Sequence, residues 1–300
     1  MRIAISGSSG FIGSALLPAL TGAGHEVARL VRHPRGLAQE IVWDPAIGIQ
    51  NPSAFRGIDA VVHLAGENIA VGRWTAERKR RIRDSRVNGT QLLCEGLSTL
   101  SAPPRALICA SALGYYGDRG DEVLTEEHSR GSGFLAEVCE AWEAAAAPAV
   151  RRGIRVVHAR FGIVLSPAGG ALAKLLPLFQ LGVGGTLGNG CQYMSWIALD
   201  DVVGAIRFAL ETDRLRGPMN VVAPNPVTNR DFTKTLGRVL RRPAICPAPA
   251  FMLRLLLGQF ADEALLASAR VLPTRLEAAG YTFQYPDLEP TLRRLASLSA

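Results

Sequence analysis

Three glycines at three-residue spacing restrict this chain more than any other feature. Gly7-Ser8-Ser9-Gly10-Phe11-Ile12-Gly13 follows the apolar run Arg2–Ser6 and opens a helical pattern over Phe11–Ala23. A side chain is excluded where a backbone must turn tightly, approach a ligand, or pack a helix against a strand. Gly7, Gly10 and Gly13 suit those three tasks in that order. A helix N-terminus facing the loop adds partial positive charge. A plain strand-to-helix turn would not require three glycines at this spacing, so the segment reads as a dinucleotide-binding loop, with Ser8, Phe11 and Ile12 as its other members.

The rest of the first half fits that reading. Strand patterns at Glu26–Val31, Ala60–Leu64, Ala106–Ala110 and Val156–Arg160 alternate with helical patterns near Thr75–Leu97 and Phe134–Arg151. Such alternation predicts an α/β fold of the Rossmann type, a doubly wound parallel sheet with its ligand at the carboxyl ends of the strands. Beyond residue 165 the chain becomes glycine-rich. Helices are expected near Ala171–Leu181, Asp200–Glu211 and Asn229–Leu240, and a strand near Asn220–Val222. This predicts a Rossmann domain over 1–165 and a smaller lobe over 166–300 that packs directly on it. No repeat or long linker separates them.

The end of the second strand bears on which dinucleotide is held. An acidic residue there accepts hydrogen bonds from the adenosine ribose in NAD-binding chains. Here the strand runs Val27-Ala28-Arg29-Leu30-Val31-Arg32. Arg32 at the tip favours a 2′-phosphate, and so NADP(H), over the plainer reading of a surface arginine.

Composition removes other classes. Hydrophobic residues make up 48% and charged residues 20%, which supports a large core rather than a disordered chain. The five cysteines form no CxxC pair and the five histidines show no HxxxH spacing, so no metal site is expected. Apolar runs are too short for a membrane span, and the glycines interrupt any leader-like pattern over 1–17. A soluble, cytoplasmic protein with no membrane partner is expected. The net charge of +7 points to a phosphate-bearing ligand as the partner. Nucleic acid is the competing reading for Arg78-Lys79-Arg80-Arg81, Arg83 and Arg86. That run lacks interleaved aromatics, so a solvated helix face with one or two ligand-facing arginines is favoured and no nucleic-acid partner is expected.

Several further motifs carry a family resemblance: His63–Ala70 (HLAGENIA), Arg73–Leu93, Ser111–Asp118 (SALGYYGD), Phe134–Glu143 and Gly188–Asp201. With the glycine loop, they make the whole chain resemble the extended, partly atypical short-chain dehydrogenase/reductases. More narrowly, it resembles the epimerase-family proteins labelled "NAD-dependent epimerase/dehydratase" or "cell-division inhibitor". The stretch from Pro249 onward resembles that subfamily's own C-terminal extension, taken here as 249–300. The resemblance implies a cofactor cradle in which Leu64, Ala65 and Gly66 lie on the adenine-ribose side. Val31 and Arg32 would flank the adenosine phosphate, Arg86 would reach in from the following helix, and Val164 would line the nicotinamide side. Simple core packing would equally account for Leu64, Ala65 and Val164.

The superfamily's catalytic tyrosine and lysine, four residues apart on one helix, are missing. Aligned on Glu143, Leu135 and Cys139 occupy those positions, and shifting by one gives Phe134 and Val138. Ser111 survives after its strand, with Tyr115 and Tyr116 in the loop beyond, and these three are the candidate catalytic residues. A tyrosine without a lysine beside it titrates near 10 and is a poor base at neutral pH. Lys174 is too distant in sequence to be placed. Glu67, Asn68, Gln192, Tyr193, Ser195 and Trp196 are weaker candidates for substrate contact. Asp200 and Asp201 are read as the N-cap and first-turn acids of their helix. Two functions stand level: an NADP(H)-binding, epimerase-like oxidoreductase of an unknown small molecule, and a cofactor-sensing protein with little turnover.

Overall fold

The computed structural model describes residues 1–34, 36 and 39–298. The chain begins with β1 (Arg2–Ser6), α1 (Phe11–Gly22), β2 (Glu26–Val31), β3 (Glu40–Asp44), β4 (Gly48–Ile49) and β5 (Ala60–His63). Next come α2 (Ala76–Thr99), β6 (Ala106–Ala112), β7 (Val123–Leu124), α3 (Phe134–Ala144), α4 (Ala147–Arg151) and β8 (Arg155–Phe161). The middle of the chain holds β9 (Ile163–Ser166), α5 (Gly170–Gln180), β10 (Tyr193–Met194), β11 (Trp196–Ala198), α6 (Leu199–Glu211) and β12 (Gly217–Val221). The remainder is β13 (Val227–Thr228), α7 (Asn229–Leu240), α8 (Ala250–Leu257), β14 (Arg270–Val271), α9 (Thr274–Ala278) and α10 (Leu288–Ser297).

One sheet organises the molecule, in the order β12-β8-β6-β5-β1-β2-β3-β4. Every neighbouring pair is parallel except β3 with β4. Because β1 leads to β2 on one side and β5 lies on the other, the switch point opens at the carboxyl end of β1. The glycine loop sits there. Period-two alternation splits the strand side chains between two cores. Ile3 and Ile5 pack with Leu16 and Leu20 of α1 and Val202 and Ile206 of α6. Ala4 faces the other way, with Leu93, Cys94 and Leu97 of α2.

Three expectations differ from this architecture. The sheet is not complete at residue 165, because β12 pairs with β8 and α6 packs on α1's side of the sheet. A short strand inside a glycine-rich stretch gives little local sign of joining a distant sheet. The helix expected over Phe134–Arg151 is two helices, with Pro148 in the first turn of α4, where its missing N–H costs nothing. β3 and β4 were not anticipated at all.

The second lobe has its own core, built on Leu172, Leu176 and Phe179 of α5, Trp196, Phe232 and Leu236 of α7, and Leu292 of α10. The C-terminal segment is fastened back onto the sheet domain. β14 pairs with β7. Asp201 accepts hydrogen bonds from the Gln284 and Tyr285 amides, both at 2.8 Å, and from the Tyr281 hydroxyl at 3.1 Å. Asp201 therefore ties the tail down as well as serving as a first-turn acid of α6, whose N-cap is Ala198 rather than Asp200.

Candidate functional site

A cleft of about 590 Å³ runs along the carboxyl ends of β1, β5, β6 and β8. At one end lies the glycine loop, at the other the C-terminal segment around Glu263–Ala269. Close backbone approach forms the first end. Gly7 has φ of +69°, and a Cβ there would stand 2.9 Å from the Ala65 amide nitrogen. A Cβ on Gly13 would stand 2.2 Å from the Gly7 carbonyl oxygen. The N-cap of α1, Gly10, supplies no side-chain hydrogen bond, and the first turn carries no acid. That helix end is thus open to an anion. Ser6 braces the opposite wall, its hydroxyl accepting the Leu64 and Ala65 amides at 3.2 and 3.3 Å.

Beyond β5, two arginines of α2 hold the loop that floors the cleft. Arg78 pairs with Glu67 at 2.6 Å and donates to the Asn68 carbonyl. Arg86 donates to the Glu67 carbonyl at 2.9 Å, lies over the Trp142 ring and lines the cleft. Burial pulls its pKa down from the usual arginine value. Arg80, Arg81 and Arg83 are exposed. The basic run is therefore split between an inward pair and a solvated face. Arg32 is exposed at the end of β2 and makes no ion pair with the described residues.

The middle of the cleft is nearly apolar. Leu135, Val138 and Cys139 of α3 line it, and burial pushes the Cys139 thiol up to about 12. That group stays neutral at any physiological pH. Ser111, at the end of β6, lines the same wall and donates to Glu143 Oε1 at 2.7 Å. The Arg160 guanidinium grips both oxygens of that carboxylate, at 2.7 and 2.8 Å, with side chains only 3% and 13% exposed. Both tyrosines turn toward this arginine and neither lines the cleft. Tyr115 stacks on Arg160 at 3.5 Å. The wholly buried Tyr116 hydroxyl donates to Asn220 Oδ1 at 2.8 Å and accepts from Arg160 at 3.0 Å. Burial raises the Tyr116 pKa above its ordinary value, which leaves the phenol protonated.

The far end is closed by the C-terminal segment. Gly133 has no side chain to cap α3, and Glu263 does so from 128–129 residues away. Its carboxylate accepts the Phe134 and Leu135 amides at 3.0 and 2.7 Å. Ser195 also lines the cleft, but its hydroxyl donates to the Ala269 carbonyl at 2.7 Å and accepts the Val271 amide at 2.8 Å.

Residues 3–222 match the family model described as "NAD dependent epimerase/dehydratase family", and residues 248–295 match a domain of unknown function, DUF1731. An epimerase family protein of Mycobacterium bovis is 47% identical over 290 residues, covering 97% of this chain and 96% of that one. The chain belongs to the NAD dependent epimerase/dehydratase family. Human epimerase family protein SDR39U1, in a crystal structure with NADPH, superposes with a TM-score of 0.90 at 34% identity, covering 99% of each chain. A nucleoside-diphosphate sugar epimerase from Corynebacterium glutamicum gives 0.82 at 40% identity, covering 98% of this chain and 58% of that one. MoeE5, solved with UDP-glucuronic acid and NAD, is 20% identical and shares the fold.

Within this epimerase-family fold, the anticipated residues separate by location. Gly7, Gly10, Phe11, Ile12, Gly13, Leu64, Gly66, Arg86 and Ser111 line one cleft. Ala65 abuts Gly7 from behind. Val164 pairs with Ile197 in the β9–β11 ladder, while its neighbours Gly162 and Ile163 reach the cleft. Trp196 is a core residue, and the Gln192 amide donates to the Leu187 and Leu265 carbonyls, both at 3.1 Å. Glu143, Arg160 and Glu263 had not been singled out as functional. An arginine inside an otherwise apolar strand (Val156-Val157-His158-Ala159-Arg160) was the signal for the first pair, since a buried guanidinium demands a carboxylate.

Proposed function

We propose that this chain is an NADP(H)-binding protein of the epimerase family, with a small molecule held beside the cofactor in the closed half of the cleft. The backbone cradle carries this reading. Gly7 and Gly13 leave no room for a side chain, and the uncapped start of α1 opens onto the same cleft. These are the features a pyrophosphate requires. The α1 end and the Gly7–Gly13 loop would hold the diphosphate, and Arg32, exposed beyond β2 and without an ion pair among the described residues, would take the 2′-phosphate. When bound, the nicotinamide would supply or accept a hydride. NADPH in the crystal structure of human SDR39U1 supports the same choice of cofactor. Titration followed by nicotinamide fluorescence tests it. NADPH should bind at least about tenfold more tightly than NADH, and equal affinity removes the NADP(H) assignment.

One observation favours a sensor over a fast enzyme. In either register, Leu135 with Cys139 or Phe134 with Val138, the superfamily's tyrosine and lysine positions hold no group that exchanges a proton near neutral pH. NADPH oxidation across a panel of carbonyl compounds separates the two readings. Saturable binding without turnover is the sensor's outcome, and rapid turnover on any member is the enzyme's.

A further inference from the structure

We infer that Ser111 meets the small-molecule ligand as a hydrogen-bond acceptor, so that the cleft selects an alcohol over the corresponding carbonyl compound. A serine hydroxyl owns one proton, and here it is committed. It lies on Glu143 Oε1 at 2.7 Å. The carboxylate has no proton to offer in return, because Arg160 holds both of its oxygens in a buried bidentate pair. Only the lone pairs of Ser111 remain for the cleft that the residue lines.

Around Ser111 the wall is largely apolar, and the cleft's other side-chain donors are Asn68, Arg86 and Tyr193. Leu113, Leu135, Val138 and Ile163 are apolar, and the buried Cys139 thiol is a weak donor. Ser195 has spent its proton on the Ala269 carbonyl. A carbonyl oxygen facing Ser111 would set lone pairs against lone pairs. An alcohol would donate its O–H to the serine and find the acceptor unopposed. Rotation of the serine proton toward a carbonyl would exchange a charge-assisted bond for a neutral one about half as strong. Glu143 is therefore a positioning residue, setting the polarity of Ser111 from outside the cleft. The superfamily's ordinary serine is expected to donate to substrate, and the carboxylate inverts that role.

This inference rests on the proposed function only in placing the ligand beside the cofactor. Neutron diffraction from deuterium-exchanged crystals reads the hydroxyl itself. The Ser111 deuteron should lie on the line to Glu143 Oε1, and nuclear density directed into the cleft overturns the inference. Ligand-observed NMR with cyclohexanol and cyclohexanone, on protein mixed with excess NADPH, reads the selectivity. Cyclohexanol should bind about tenfold more tightly, and Ser111→Ala should bring the pair within about twofold. Equal or tighter binding of the ketone, its reduction by NADPH, or no binding of either overturns the selectivity. NADPH fluorescence in the same samples keeps the two proposals apart. Failure to saturate defeats the cofactor reading, while the deuteron position still decides this one.

Discussion

The two halves of the cleft are built by opposite means. At the glycine end the working surface is backbone: a loop with no room for side chains, an open helix terminus, and two amides braced by Ser6. At the closed end it is side chains, of which Ser111, Ser195 and Glu263 are already engaged by groups around the cleft, while Tyr193 also lines it. Ser111 is bonded to Glu143, Glu143 to Arg160, Arg160 to Tyr116, and Glu263 to the start of α3. A ligand with phosphates finds unsatisfied donors at the first end. A ligand at the second finds apolar walls and few free polar groups. The contrast teaches that binding and reaction have separate structural requirements here, and that the first can be met in full while the second is altered.

The sharpest way to break this contrast is to fill the backbone loop. In Gly13→Val the Cβ falls 2.2 Å from the Gly7 carbonyl oxygen, an overlap no side-chain motion relieves. Loss of NADPH affinity beyond about a hundredfold is expected, with a fall in stability of about 1–3 kcal/mol or more. Fluorescence titration and urea unfolding measure both. Retained affinity would mean the cofactor does not use this loop.

The next largest effect belongs to the closed end. Glu143→Ala strands the Arg160 guanidinium in the interior without a counter-charge. Breaking a buried pair in this way costs about 3–5 kcal/mol. NADPH affinity in the folded fraction should change less than about threefold, because neither residue borders the glycine loop. A collapse of cofactor binding at native stability would join the two halves that the geometry separates.

The two ends also differ in how far the sequence betrays them. The glycine loop is local: seven residues carry the turn, the close approach and the helix start, so their spacing alone is diagnostic. The strands at Arg2–Ser6, Glu26–Val31 and Ala60–Leu64 were legible for the same reason, from periodicity within a few residues. At the closed end the partners stand far apart in the chain. Arg160 meets Glu143 across 17 residues, Tyr116 meets Asn220 across 104, and Glu263 caps a helix 128–129 residues before it. Tyr115 and Tyr116 looked available because a glycine-flanked loop suggests exposure. The buried cation of Arg160 instead attracts one ring face and one hydroxyl.

A pH titration probes the seam between the halves. His63 is wholly buried, with Nδ1 on the Ser6 hydroxyl at 2.6 Å and Nε2 on the Thr90 hydroxyl at 3.1 Å. Trp142 of the cleft wall donates to the same threonine. Burial lowers its pKa to about 4, so the folded protein keeps it neutral while the unfolded chain takes up a proton near 6.5. Stability from this group is present above about 6.5 and is lost as the pH falls toward 4, amounting to about 2 kcal/mol by pH 5. His158, lowered in the same direction, adds to the slope. Comparing urea midpoints at pH 7 and pH 5 should show this loss, and His63→Asn should flatten it. An unchanged slope in that variant would locate the titrating group elsewhere.

The smallest effect bears on the open end alone. Arg32 touches no ionic partner among the described residues, so its removal should leave folding within about 0.5 kcal/mol of the parent. Its effect should appear only with a ligand that carries a 2′-phosphate. Arg32→Ala is expected to weaken NADPH binding about tenfold, the value of one charge-assisted contact, and to leave NADH within about twofold. Raising the salt concentration should narrow the difference between parent and variant for NADPH, because an exposed ion pair is screened over about 8–10 Å. A uniform loss for both nucleotides would make Arg32 a general feature of the adenosine side. No loss for either would remove Arg32 from the choice of cofactor, which the backbone loop cannot make, because Gly7, Gly10 and Gly13 distinguish a diphosphate from no diphosphate but not one adenosine from another.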